Sequence, residues 1–266
     1  MGSERFAAMP ESRALSIFFT AGFPRRDDTM PILQALQAAG VDMVEVGFPF
    51  SDPVADGPTI QASSQQALAN GMNLERLFSQ LQGLRPAVSI PVLLMGYLNP
   101  VEQYGFQRFI TDAATCGIDG VIIPDMPFEE YLERYKPLFD GSGVRPVFLI
   151  TSRTSPDRIR AFDRENPAFL YVLSSDAVTG GAVSVTTDRD SFFKRLADMV
   201  LSSRLIVGFG VSDKSSFDAV TRHTSGAIVG SAFVKALASL PQNSDAPHKT
   251  DVTSGTAIVD FIHRLR

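Results

Sequence analysis

Eight short runs rich in β-branched and aromatic residues recur along the chain. They fall at 14–20 (ALSIFFT), 41–47 (VDMVEVG), 90–96 (IPVLLMG), 119–125 (DGVIIPD), 145–151 (RPVFLIT), 169–175 (FLYVLSS), 204–210 (RLIVGFG) and 226–231 (GAIVGS). Between them, stretches such as FQRFITDAATCG at 106–117 place apolar residues three and four apart, the spacing of a helix with one buried face. Strands that are apolar on both faces belong in a parallel sheet covered by helices. Eight strand–helix units within 266 residues match the size and rhythm of an α/β fold, a single (β/α)8 TIM barrel with extra helices over 1–266. The rival is a doubly wound open sheet, which ordinarily holds about five or six strands. An added helix is expected at 62–71, a polar connector at 240–256, and a last helix from 257.

The balance of residues narrows the partners. A net charge of −5 with scattered basic residues argues against nucleic acid, whose phosphates demand clustered Lys and Arg. No run of 18 apolar residues is present to cross a membrane, and the first residues lack the apolar core of a secretory signal. Cys116 is the single cysteine, which rules out an internal disulfide and fits a reducing compartment. It is read as a packing residue. A cytoplasmic protein is expected.

On this fold the chemistry lies where strands end and the following loops begin. The second run ends on Glu45 and continues as GFPFSDPVADGP, a stiff acidic loop holding Asp52 and Asp56. A carboxylate in a barrel strand is costly without a partner. Either Glu45 points into the mouth for a purpose, or an arginine satisfies it as a structural pair. Burial alone raises such a group toward the range where it can give and take a proton at neutral pH. Asp56 can fold back over the same mouth, whereas Asp52 and Asp125 read as turn caps. The sixth run carries Tyr171.

Gly208, Gly210, Gly230 and Ser231 put small residues at the ends of the last two runs, and a helix begins at Ser231. Glycines let backbone N–H groups approach an anion, and a helix N-terminus favours negative charge. These are the strands where the fold most often holds phosphate. Gly180 and Gly181 are placed to close the pocket from the sixth loop, although each glycine is also explained by a tight turn.

Absences matter as well. Lys136, Lys194, Lys214, Lys235 and Lys249 all fall away from strand ends, so no amine offers Schiff-base chemistry. His223, His248 and His263 lie on helices or in the late connector, and no cluster has metal-ligand spacing, so no metal is expected. Carboxylate acid–base catalysis on a phosphorylated substrate remains. Two alternatives stay open: another phosphate-binding barrel isomerase, and a catalytically idle barrel serving as a regulatory subunit.

PFSDPVADGPTIQ (49–61), with Glu45 four residues before its proline, resembles the signature of the tryptophan synthase α-subunit family. TAGFP, LMGYLNP, DGVIIPDMPFEE, GFGVS and IVGSAF follow in the same order over about residues 14–240. The resemblance implies retro-aldol cleavage of indole-3-glycerol phosphate to indole and glyceraldehyde 3-phosphate. By position, Glu45 is the general acid/base, Asp56 holds the ring N–H, and Tyr171 stands near the glycerol chain. Gly180, Phe209, Gly210, Gly230 and Ser231 correspond to phosphate-binding positions. Phe18 and Ile122 flank the indole, positions that core packing also explains. The resemblance further implies no cofactor on this chain and a pyridoxal-phosphate-bearing β subunit as partner in an αββα assembly, docked near PVADGP and PDMPFEE. Residues 175–180 depart from the commoner family pattern, lacking its arginine and carrying Ala177.

Overall fold

The structure is a computed structural model and describes residues 2–173, 185–208, 210–240 and 256–266. Eight parallel strands close into a barrel in sequence order: β1 Ala14–Thr20, β2 Met43–Gly47, β3 Val92–Met95, β4 Gly120–Ile122, β5 Arg145–Ile150, β6 Leu170–Leu173, β7 Leu205–Gly208 and β8 Gly226–Val229. The β1–β8 ladder, Ala14 against Gly226 through Ile17 against Val229, completes the ring. The open-sheet alternative is thereby set aside.

Apolar burial drives the assembly. Every residue of β1 is buried, its odd positions (Leu15, Ile17, Phe19) under the helices and its even ones (Ser16, Phe18, Thr20) on the other face. The helix Phe106–Cys116 buries Phe106, Phe109, Ile110, Ala113 and Cys116, one stripe at helical spacing. Cys116 is a packing residue, its thiol directed at the Phe78 carbonyl. Gly117 ends that helix in the left-handed conformation (φ 77°). Asn73, Ser155 and Asp213 cap the helices that follow them through their side chains.

Local chemistry moves several boundaries. The stretch 129–139, which reads as one helix, belongs to an element that begins at Phe128: it is α-helical at Phe128–Glu130, widens to a π-turn at Tyr131–Tyr135 and resumes at Lys136–Phe139. Pro137 explains the widening, because it lacks an N–H and its ring crowds the carbonyl one turn back. β4 stops at Ile122, short of the run's end at 125, since Pro124 cannot donate to a ladder. The added helix begins earlier than the sequence indicates, at Pro58, and runs to Ala69. The last helix is Thr256–Leu265; most of the polar connector lies outside the described residues.

Ion pairs close the base of the barrel, at the N-terminal ends of the strands. Asp119 is fully buried just before β4 and meets Arg5 Nε and Arg85 Nη2, each at 2.7 Å, and the Val92 N–H at 2.8 Å. Asp42, just before β2, accepts from Leu15 N at 2.8 Å and from Arg266 Nη2 at 2.6 Å. Charge is thus satisfied at the base, leaving the opposite mouth for other uses.

Candidate active site

Glu45 lies in the middle of β2 with no exposed surface. No arginine satisfies it: Oε1 accepts from Ser16 Oγ at 3.2 Å, and Oε2 is buried without a hydrogen-bond partner among the described residues. Of the two fates open to this glutamate, the arginine pair is not found among the described residues. Burial pushes its carboxyl from the ordinary value of 4.5 up to about 8, and the Ser16 hydroxyl pulls it partly back. The group is mainly protonated at neutral pH. Ser16 is a residue that sequence reasoning passed over. Its signal was a hydroxyl in the middle of an apolar run, at the same parity as Phe18, the ladder partner of Glu45.

Asp56 sits over the mouth on the loop after β2. Its Oδ2 accepts from the Tyr97 hydroxyl at 3.0 Å, and burial raises its carboxyl while that bond lowers it. A recess opens beside it, lined by Phe18, Thr20, Phe48, Ile60, Tyr97 and Pro124. Ile122 is fully buried on β4, and its neighbour Pro124 is the part of that strand's end that faces the recess. Of the two turn aspartates, Asp125 accepts from the Leu98 N–H at 2.9 Å and so joins the fourth loop to the helix Leu98–Tyr104. Asp52 accepts from its neighbour Ser51.

Tyr171, on β6, is buried, and its phenol is raised well above 10 by burial and by the nearby charges of Glu45 and Asp56. The three groups therefore share one electrostatic neighbourhood. Gly208 makes room for the tyrosine: a Cβ at that position falls 2.0 Å from the Tyr171 hydroxyl.

β7 and β8 are neighbours in the barrel, with Ile206 opposite Gly226 and Val207 opposite Ala227. Gly210 has φ +79°, a conformation that side chains disfavour. Gly230 is the N-cap of the helix Ser231–Ala238 and supplies no side-chain cap, while Ser231 is exposed. Backbone N–H groups at this helix start are suited to an anion. Gly180, Gly181 and Phe209 lie outside the described residues, as does most of the sixth loop.

A buried glutamate on β2, an aspartate on the loop that follows it and a glycine-bordered helix start after β8 place this closed (β/α)8 barrel in the class of acid–base barrel enzymes. The profile of the tryptophan synthase alpha chain family matches residues 6–259. The chain belongs to that family. A tryptophan synthase alpha chain of Parabacteroides distasonis is 48% identical over 88% of this chain and 91% of its own length. One of Flavobacterium johnsoniae is 48% identical over 85% and 90%. Among solved structures, the tryptophan synthase A-subunit of the hyperthermophile Pyrococcus furiosus superposes with a TM-score of 0.82 at 29% identity, covering 97% of this chain and 99% of that one. Tryptophan synthase of Mycobacterium tuberculosis gives a TM-score of 0.82 at 26% identity, covering 99% and 96%.

Proposed function

We propose that Glu45 and Asp56 divide the acid–base work of the tryptophan synthase α reaction, the retro-aldol cleavage of indole-3-glycerol phosphate. The single observation that carries this reading is a fully buried glutamate held by one serine, with no arginine and no partner for Oε2 among the described residues. Such a carboxyl keeps its proton at neutral pH and is able to deliver it. Glu45 donates that proton to the ring carbon bearing the glycerol chain, which turns the indole into a cationic indolenine. Asp56, as the carboxylate, accepts the ring N–H hydrogen bond and stabilises the charge. The side-chain hydroxyl then returns a proton to Glu45. Its C–O bond becomes the aldehyde of glyceraldehyde 3-phosphate, the C–C bond breaks, and the bonding pair restores the aromatic ring. The protonated ring is the electron sink, so the step draws on no cofactor in this chain.

Tyr171 borders the glycerol chain in this reading, with Phe18 and Ile122 about the ring. Gly210, Gly230 and Ser231 receive the phosphate, with Gly180 and Phe209 assigned by family position alone. The partner is a β subunit carrying pyridoxal phosphate, in an αββα assembly on the mouth face, where Val54 of the acidic loop is 79% exposed. Among the described residues no helix is long and apolar enough to cross a membrane, and a cytoplasmic setting accords with the free, buried Cys116.

The test is release of indole from indole-3-glycerol phosphate by the purified chain, alone and with a β subunit. Indole release that Glu45→Gln abolishes is expected. Turnover retained in that variant removes Glu45 from the proposed role.

A further inference from the structure

Two hydrogen bonds meet at one atom above the mouth. The Tyr97 hydroxyl accepts the Ala55 N–H at 3.0 Å and donates to Asp56 Oδ2 at 3.0 Å. Tyr97 comes from a different part of the barrel, directly ahead of the helix Leu98–Tyr104, 41 residues from the aspartate it meets. Its ring is 5% exposed and packs against Phe50 at a centroid distance of 5.3 Å, so the hydroxyl is carried on a fixed platform. A phenol has one proton. With the Ala55 N–H pointing at its oxygen, that proton is committed to Asp56, and the carboxylate is fixed in both position and rotation. Among the described residues, Oδ1 is then the oxygen left for a ligand.

We infer that Tyr97 is a positioning residue for the reaction: it locks the Asp56 carboxylate, and the acidic loop that bears it, in the orientation that receives the indole N–H. This rests on the role proposed above for Asp56. The ionisable groups that surround the pair are Tyr171 and Glu45 from the barrel interior and Asp125 from the fourth loop; Asp56 and Asp125 both push the Tyr97 phenol up, after burial, so it remains a donor. Burial raises Asp56 and the Tyr97 bond opposes it, so loss of the hydroxyl moves the ionisation of Asp56 to higher pH.

The experiment is steady-state kinetics with indole-3-glycerol phosphate across the pH range, in the presence of a β subunit, for the parent chain, Tyr97→Phe, Asp56→Asn and the double variant. Tyr97→Phe keeps the ring and its packing on Phe50. It is expected to lower kcat about tenfold, the scale of one hydrogen bond to a charged group, and to shift the acid limb of kcat upward in pH. The double variant is expected to be no slower than Asp56→Asn alone, because the hydroxyl acts through the carboxylate. Fluorotyrosine at position 97 retains the donor and is expected to restore the rate, which separates a lost hydrogen bond from a misfolded chain.

An unmoved acid limb, or fully additive losses in the double variant, overturns the inference while leaving the role of Asp56 intact. Full activity in Asp56→Asn overturns both together.

Discussion

At the scale of a residue, Glu45 gives the sharpest consequence. The folded protein holds its proton up to about pH 8, whereas the unfolded chain releases it near the ordinary 4.5. Between those values the folded state binds more protons than the unfolded state, so stability falls as pH rises. Above pH 8 the whole cost of a buried carboxylate is felt, roughly 3–5 kcal/mol from the separation of the two values. Glu45→Gln lacks the titration. Urea unfolding at about pH 5 and about pH 9 is expected to show the variant gaining on the parent chain at the higher pH. In kinetics, the parent kcat is expected to decline as pH rises through about 8, where the proton to be delivered is lost. The residue proposed to carry the chemistry is thus a cost to the fold.

At the scale of the element, the two ends of the strands call for different tests. Gly210 sits at φ +79° beyond β7; Gly210→Val is expected to raise KM for the phosphorylated substrate by about tenfold or more, since it both strains the turn and withdraws a backbone N–H. At the base, Asp119→Ala strands Arg5 and Arg85 beside a buried site, and thermal or urea unfolding is expected to show a loss of about 3–5 kcal/mol. Legibility in the sequence divides along related lines. The eight strands were readable because each is a continuous apolar run between helical stripes, and Glu45 stood out as an acid flanked on both sides by valine within such a run. The end of β4 was not, because Pro124 and Asp125 leave the ladder for a turn whose partner, the Leu98 N–H, is 27 residues away. The π-turn at Tyr131–Tyr135 was hidden for a different reason: helical spacing survives the widening that Pro137 imposes. Tyr97 and Ser16 escaped notice because their meaning lies in hydrogen bonds between strands and loops far apart in the chain, which periodicity does not record.

At the scale of the whole molecule, the barrel separates duties. Ion pairs fasten the base, while the mouth holds raised carboxyls, a recess and an exposed apolar loop tip. In the proposed assembly, Val54, 79% exposed on the acidic loop, is the anchor for the β subunit. Val54→Asp is expected to weaken binding of that subunit by about tenfold or more in titration calorimetry, with the melting temperature of the isolated chain unchanged. An unaltered affinity would place the partner elsewhere. Finally, the hydroxyl of Tyr171 occupies the space that any side chain at 208 needs for its first carbon. Descent with modification therefore cannot alter these two sites independently: in natural variants, a bulkier amino acid at 208 should be found only where 171 has already lost its phenol.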